Sequence, residues 1–307
     1  MDYETLVDAE TCSFIRATDA CYPPDTASRS IAEQRRIYDG MSRTFHRGYL
    51  PGITATDLRI ANVLCRRYNG AQPVVLYLHG GSFVVGGLES HDDICAEIRQ
   101  RTGLTVVAAG YRLSPEHLHP AAFENACAVA EALTEDGPIL LVGDSAGGNL
   151  CAAVAHALRA GGNILGQVLI YPGLGGDVDT GSYLVHANAP MLTRDDVLFY
   201  KDIRHGAPAP FGDPSVAPLQ DTDFSGLPPT VVISAECDPS ADDGPAYAAR
   251  IRAAKIRAAG GRAHPCGDRT RPCPCPSARP QHGRPCRGQF HPHLHRHLGP
   301  SRKGVAL

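Results

Sequence analysis

A serine flanked by glycines is the residue of this 307-residue chain whose setting most clearly predicts chemistry. The stretch Gly143-Asp144-Ser145-Ala146-Gly147 follows the apolar run PILLV and opens the small-residue segment NLCAAVAHAL. A strand that turns sharply into a helix needs glycines beside the serine, and the turn presents the hydroxyl at the helix N-terminus, where free N–H groups favour negative charge. The pattern predicts that Ser145 is a nucleophile, although a Gly-Ser-Gly cluster can also be only a turn.

A glycine-rich loop upstream could stabilise the negative charge that a nucleophilic attack creates. His79-Gly80-Gly81 comes directly after the buried run PVVLYL. Glycines let backbone N–H groups approach a substrate oxygen closely, so the N–H groups of Gly80, Gly81 and Ala146 are predicted to form an oxyanion hole. His79 could serve as a general base, but we expect it to brace the loop instead.

Strands and helices alternate through the part of the chain that carries these motifs. This alternation predicts right-handed crossovers and a mostly parallel central sheet flanked by helices, with the ligand site at the carboxyl ends of the strands. The expected fold class is therefore α/β. Strands are predicted in TDLRIANVLCRRY, PVVLYLH, LTVVAAGY, PILLVGD, GQVLIYP and PPTVVISAE, and helices in HDDICAEIRQRTG, AAFENACAVAEALTEDG, SAGGNLCAAVAHALRAGG and DDGPAYAARIRAA.

Four motifs in this order resemble the hormone-sensitive-lipase branch of the α/β-hydrolases, the bacterial esterases with an HGG loop and a GDSAGG elbow. The other two are YRLSPEHLHPAAFEN, similar to the family's YRLAPE segment, and SAECDPSADDG, similar to its acid-bearing loop. The resemblance covers roughly residues 50–256 and implies an α/β-hydrolase fold with a helical cap. It also implies that Asp238 is the triad carboxylate, with Asp242 and Glu236 as its rivals.

The resemblance further implies hydrolysis of short-chain carboxylic esters through a serine nucleophile and an acyl-enzyme. Asp144, Arg112 and Glu116 are expected to support the site from beneath rather than to react. The alternative is an inactive or severely impaired relative, a binding module that keeps the pocket without a properly placed base.

Composition divides the chain into regions with different expected roles. Residues 1–50 are predicted to be N-terminal cap helices, and residues 51–260 the catalytic domain, in which 173–226 contribute lid elements. Residues 1–260 hold 20 basic and 31 acidic side chains, a net charge of −11, whereas residues 261–307 hold nine basic and one acidic side chain, a net charge of +8. The last region is predicted to be an aberrant tail.

The tail lacks the sequence that the end of such a fold needs. Residues 261–300 contain eight Pro, seven Arg, six His and four Cys but neither Val nor Ile, so they cannot supply the last strand and helix, which we expect to be degraded. The composition resembles a GC-rich gene read in the wrong frame. We therefore hypothesise a frameshift near residues 255–265.

The triad histidine cannot be assigned from the sequence. The family keeps it in an H-G-F-like turn roughly thirty residues after the acid, where this chain reads HPCGDRTRPCPCPSARP. His264 lies 26 residues after Asp238, and His282 lies 44 residues after it. Neither follows a predicted strand, so the catalytic histidine stays unknown.

The expected partner is a small ester, and no cofactor is predicted. Proline-separated cysteines and HPHLHRH in the tail lack the spacing of a metal site. A basic tail in which aromatic residues do not alternate with the basic ones is a weak signal for nucleic acid. No run is apolar enough for a membrane span, and the acidic start is unlike a secretory signal, so we expect a cytoplasmic protein. A homodimer is compatible with the sequence.

Seven cysteines without paired spacing are expected to be reduced thiols: Cys12, Cys21, Cys65, Cys95, Cys127, Cys151 and Cys237.

Overall fold

A seven-stranded sheet forms the centre of the molecule in the computed structural model, which describes residues 1–49, 51–206 and 212–258. Its strands are β1 (Ala55–Ile60), β2 (Val63–Tyr68), β3 (Ala71–Leu78), β4 (Leu104–Ala109), β5 (Ile139–Asp144), β6 (Ile164–Ile170) and β7 (Thr230–Ile233). Their order is β1-β2-β4-β3-β5-β6-β7. β2 pairs antiparallel with both β1 and β4, and every pairing from β4 to β7 is parallel. The predicted α/β fold class is confirmed.

Helices cover both faces of this sheet. They are α1 (Tyr3–Leu6), α2 (Ala9–Asp19), α3 (Ile31–Phe45), α4 (Asp92–Thr102), α5 (Ala121–Glu135), α6 (Ala146–Leu158), α7 (Gly181–Val185), α8 (Arg194–His205) and α9 (Asp243–Ala258). None of the helices in the described residues is long and apolar enough to cross a membrane.

Alternation along β3 builds the two halves of the core. Leu76 and Leu78 pack with side chains of α5, α6 and α9, whereas Val75 and Tyr77 pack on the other face with Cys95 of α4. Because β3 is covered on both faces, its last five residues are all buried. This burial explains why the run VVLYL is continuously apolar.

The first predicted strand segment is in fact a hairpin. TDLRIANVLCRRY contains both β1 and β2, which are joined at Ala61 and Asn62 with φ values of 46° and 67°. Two consecutive residues with positive φ are typical of a tight hairpin turn, and Asn tolerates that conformation. Alternation with period two runs through both arms, so it could not reveal the turn.

The predicted helices occur where the sequence placed them. α4 ends at Gly103, whose φ of 73° closes the helix as a left-handed cap. In the interruption between β6 and β7, α8 contributes Tyr200 and Ile203 to a small apolar cluster with Tyr38 and Met41 of α3. The assignment of 1–50 and 173–226 to a cap remains a prediction, and the tail, 261–307, lies outside the described residues.

Arg35 joins the N-terminal helix α3 to the body of the protein. Its guanidinium donates to the carbonyl oxygens of Val84 at 2.7 Å and Ser114 at 2.8 Å, and it pairs with Glu116 at 2.7 Å. Val84 lies in the loop that follows His79-Gly80-Gly81. One side chain of α3 therefore holds that loop in place.

We expect Arg35→Met to lower the free energy of unfolding by about 1–3 kcal/mol, because two carbonyl oxygens and a carboxylate lose their donor. Arg36→Met is the matched control, since the exposed Arg36 makes a single hydrogen bond within its own helix, and it should change stability by less than about 0.5 kcal/mol. Urea unfolding of both variants measures the difference. Equal effects would show that Arg35 does not anchor α3.

Candidate active site

Ser145 occupies a strained turn between β5 and α6. Its backbone has φ 50° and ψ −117°, a conformation that non-glycine residues rarely adopt and that costs about 1–3 kcal/mol. The turn is held because the Ser145 N–H donates to the carbonyl of Ile170 at 2.9 Å, while the Ser145 carbonyl accepts from Asn149 at 3.0 Å. The predicted nucleophile thus lies at the N-terminus of a long helix.

The two glycines of the motif are required by close backbone approach. A Cβ atom on Gly147 would lie 1.9 Å from the carbonyl oxygen of Leu78, and a Cβ atom on Gly143 would lie 2.5 Å from the carbonyl of Gly147. The strand β3, the end of β5 and the start of α6 therefore touch through their backbones. This contact explains the glycine spacing in physical terms.

Asp144, next to the serine, is turned away from the cavity and buried. Its carboxylate accepts from the hydroxyl of Tyr77 at 2.7 Å and from the N–H of Gly80 at 3.0 Å, and His91 Nε2 lies 3.4 Å away. Burial alone would raise the pKa of Asp144, but His91 and the Tyr77 hydroxyl outweigh it and hold that pKa below its ordinary value. Asp144 is thus a charged brace, as predicted.

The contact with Asp144 corrects one part of the predicted oxyanion hole. The Gly80 N–H donates to that carboxylate, so it is not available to a substrate oxygen. The N–H groups of Gly81 and Ser82 have no hydrogen-bond partner among the residues that the structure describes. Ser82, which the sequence analysis did not consider, lines the same cavity as Ser145 and Ala146.

His79 is locked inside the protein and does not line the cavity. Its Nδ1 lies 2.7 Å from the carbonyl oxygen of Gly80, and its ring stacks on Tyr111 at a centroid distance of 4.2 Å. The Tyr111 hydroxyl donates to the His79 carbonyl at 2.6 Å. Burial lowers the pKa of His79 to about 3, so the ring is neutral at pH 7. These contacts support the expected bracing role.

Asp238 follows β7 and lines the cavity that contains Ser145. One carboxylate oxygen accepts from both the N–H and the hydroxyl of Ser240, each at 2.6 Å. Burial raises the pKa of Asp238, and these two hydrogen bonds oppose the rise. The other carboxylate oxygen has no donor in the described part of the chain, so it could accept from a histidine.

The rival carboxylates are placed differently. Asp242 precedes α9 and accepts from the N–H of Ser182 at 2.8 Å, which fixes the start of α7. Glu236 is exposed, and neither it nor Asp242 lines the cavity. Asp238 is therefore the acid that the fold brings to the same cavity as the serine.

Arg112 and Glu116 make structural contacts rather than contacts with the cavity. Arg112 Nε donates to the side chain of Asn125 at 3.0 Å, and its Nη2 pairs with Glu124 at 2.9 Å. Glu116 pairs with Arg35 of α3. Both residues act as supports, as the sequence analysis expected.

The cavity above Ser145 has a volume of about 210 Å³. One wall comes from the loop after β3 and the start of α6, and the other comes from α8 and the segments that flank it. Sequence reasoning missed the α8 residues, because no motif marks the side chains of this helix that line the cavity. The polar side chains from α8 are Tyr200, Lys201, Arg204 and His205.

No histidine hydrogen-bonds Ser145 or Asp238 among residues 1–49, 51–206 and 212–258. His186 lies close enough to lower the pKa of Asp238. However, its Nδ1 lies 3.3 Å from the Tyr3 hydroxyl, and His186 does not line the cavity. His205 lines the cavity, and burial lowers its pKa to about 4. His264 and His282 lie outside the described residues.

A metal centre finds no support in the described ranges. There, no group of three His, Cys, Asp or Glu side chains is placed so that it could hold an ion. The seven cysteines up to Cys237 are free thiols.

A family model described as alpha/beta hydrolase fold matches residues 75–262. The chain belongs to this α/β-hydrolase family. The match begins in β3 and includes the loop after it, the turn at Ser145 and the acid at Asp238. The carboxylesterases and the solved esterase structures to which the chain is similar, described next, confirm its resemblance to the hormone-sensitive-lipase branch.

Two curated relatives and one solved structure illustrate the similarity. The carboxylesterase NlhH of Mycobacterium tuberculosis is 32% identical over 270 residues, 82% of this chain and 79% of that protein. An ethyl acetate hydrolase of Pseudomonas putida is 35% identical over 197 residues, 61% of this chain and 62% of that protein. A solved esterase from the bacterial hormone-sensitive lipase family is 28% identical with a TM-score of 0.73, covering 81% of this chain and 86% of that one.

The close contact at the turn predicts a large effect of one methyl group. Gly147→Ala would place its Cβ against the Leu78 carbonyl, so we expect a loss of more than about 4 kcal/mol in the free energy of unfolding or no folded protein. Gly161→Ala is the matched control, because a Cβ there meets nothing within 4 Å. Urea unfolding compares the two, and similar stabilities would contradict the described packing.

The neutral state of His79 predicts a specific dependence of stability on pH. Its pKa is lowered in the folded protein, so unfolding takes up a proton below the ordinary histidine pKa of about 6.5. The stabilisation is complete above that pH and is lost as the pH falls toward about 3, by about 1.4 kcal/mol per pH unit.

His79→Asn removes this titration while keeping a donor toward the Gly80 carbonyl. Between pH 7 and pH 5, wild-type stability should fall by about 2 kcal/mol more than that of the variant. Urea unfolding at both pH values measures this difference. Parallel pH curves for the two proteins would mean that folding does not lower the pKa of His79.

Proposed function

We propose that this α/β-hydrolase cleaves short-chain carboxylic esters through an acyl-enzyme on Ser145. The observation that carries the proposal is that Ser145, at the strained turn, shares one cavity with Asp238 and with Ser82, whose backbone N–H has no hydrogen-bond partner among the described residues. The named relatives, a carboxylesterase and an ethyl acetate hydrolase, support the same reaction class and a small acyl group.

In the proposed reaction, Ser145 Oγ attacks the acyl carbon and its proton passes to a base. The N–H groups of Gly81, Ser82 and Ala146 hold the oxyanion, in place of the set first predicted, because the Gly80 N–H is bound to Asp144. The base returns the proton to the leaving alcohol. A water molecule then attacks the acyl-enzyme and releases the carboxylic acid.

Asp238 is proposed to orient the base through its carboxylate oxygen that has no donor in the described part of the chain. His264 and His282 remain the candidates for that base. Alanine variants of each should identify it, because loss of the base lowers kcat by on the order of 10⁴- to 10⁶-fold.

The frameshift near residues 255–265 remains our hypothesis, and sequencing the coding DNA tests it: an H-G-F-like turn should occur in the shifted frame.

Turnover of p-nitrophenyl acetate tests the proposed function directly. Ser145→Ala should abolish it, and Asp238→Asn should lower kcat by about 10⁴-fold, because an amide cannot hold the base in the required orientation. Asp242→Asn is the matched control and should leave kcat within about twofold, since Asp242 lies outside the cavity.

An organophosphonate that labels serine nucleophiles separates a weak enzyme from a wrong assignment. Stoichiometric labelling at Ser145 with turnover supports the ester hydrolase. Labelling without turnover would show an activated serine in an impaired relative. Neither labelling nor turnover would overturn the assignment of Ser145 as the nucleophile.

A further inference from the structure

The α8 side of the cavity carries a buried guanidinium that the proposed reaction does not use. Arg204 is 7% exposed and lines the same cavity as Ser145. Its guanidinium carbon lies 3.6 Å from the centroid of the Phe83 ring, in the loop that follows Gly81 and Ser82. A cation therefore sits beside the loop that offers the free N–H groups.

Arg204 has no carboxylate partner among the described residues. It makes two long hydrogen bonds, to the carbonyl oxygens of Val216 at 3.4 Å and Ser215 at 3.3 Å. The acid whose charge acts on it, Asp213, accepts two hydrogen bonds from Ser215 and does not pair with Arg204 within 4.0 Å. A guanidinium has five N–H donors, so most of its capacity is unused.

A structural role does not account for this arrangement. Packing on Phe83 and a position in the last turn of α8 both favour a cation, but a buried charge normally also needs a carboxylate or a full set of hydrogen bonds. Burial lowers the pKa of Arg204 to about 9, so the group is still charged at pH 7. The charge is thus retained in a cavity where an uncharged side chain would cost less.

The guanidinium lies close to the catalytic helix. Val216 O accepts from Arg204 Nη1 and also from Asn149 Nδ2, at 3.0 Å, and Asn149 lies one turn beyond Ser145 in α6. Only one carbonyl oxygen separates the two side chains. Lys201, one turn before Arg204 in α8, adds a second positive charge to the same wall.

We infer that the cavity takes esters that carry a carboxylate, which Arg204 binds while Ser145 attacks the ester carbonyl. This inference rests on the proposed function and names its substrate class. The planar fork of a guanidinium matches a carboxylate, and the cavity excludes much of the water that would weaken the pair. Phe83 and the apolar residues of the walls would pack on the short carbon chain between the two groups.

Two pairs of probes test the inference, each an anion and its uncharged isostere. Monomethyl succinate and methyl levulinate differ by a carboxylate on the acyl side, and acetoxyacetate and acetoxyacetone differ by a carboxylate on the alcohol side. Titration calorimetry with Ser145→Ala measures their binding without turnover. In at least one pair the anion should bind about 10- to 100-fold more tightly.

Arg204→Gln, added to Ser145→Ala, should reduce that preference to within about threefold, while the exposed control Arg252→Gln should leave it unchanged. Arg204→Gln should not lower the thermal unfolding temperature, because it removes a buried charge that has no carboxylate partner among the described residues. Equal binding of anion and isostere in both pairs would overturn the inference. A preference that survives Arg204→Gln would also overturn it.

Hydrolysis of the same probes by the protein with Ser145 intact separates this inference from the proposed function. A higher kcat/KM for the anion supports both. An anion preference in binding without hydrolysis of any probe or of p-nitrophenyl acetate would contradict the proposed function and leave the carboxylate site standing. Hydrolysis of p-nitrophenyl acetate without any anion preference would support the proposed function and overturn the carboxylate site.

Discussion

The carboxylate of Asp144 is the contact on which the rest of the site depends. It joins the end of β5 to the loop after β3 by accepting from the Gly80 N–H, and the Tyr77 hydroxyl holds it from within the sheet. A buried carboxylate is costly unless hydrogen bonds satisfy it, so moving either donor away from Asp144 would cost a large amount of free energy. The loop and the serine turn therefore cannot move independently.

This constraint determines which backbone groups can act on a substrate. Because the Gly80 N–H is bound to Asp144, the free N–H groups begin at Gly81, and Ser82 is the first residue of this loop that lines the cavity. His79 and Tyr111 support the loop from the sheet side, and Arg35 of α3 supports it from the other. Negative charge that develops on a substrate oxygen would therefore be stabilised by backbone N–H donors that are already in position. This is the physical basis of oxyanion stabilisation.

The sequence predicted the features that depend on local patterns and missed those that depend on long-range contacts. The glycines around Ser145 predicted the turn, because close backbone approach there excludes a Cβ atom. The continuous apolar runs predicted the sheet, because a strand buried on both faces needs apolar residues at successive positions. The bond between Asp144 and Gly80 joins residues 64 positions apart, and no local pattern signals it. The hairpin at Ala61 was missed because alternation with period two runs through both of its arms, and Arg204 was missed because no motif marks the α8 residues that line the cavity.

The most direct measurement is a crystal structure of the protein with a phosphonate bound covalently to Ser145. The phosphoryl oxygen stands for the oxyanion, and we expect it to lie about 3 Å from the N–H groups of Gly81, Ser82 and Ala146, with Gly80 still bound to Asp144. A phosphoryl oxygen held by the Gly80 N–H, with the Asp144 contact broken, would contradict the account.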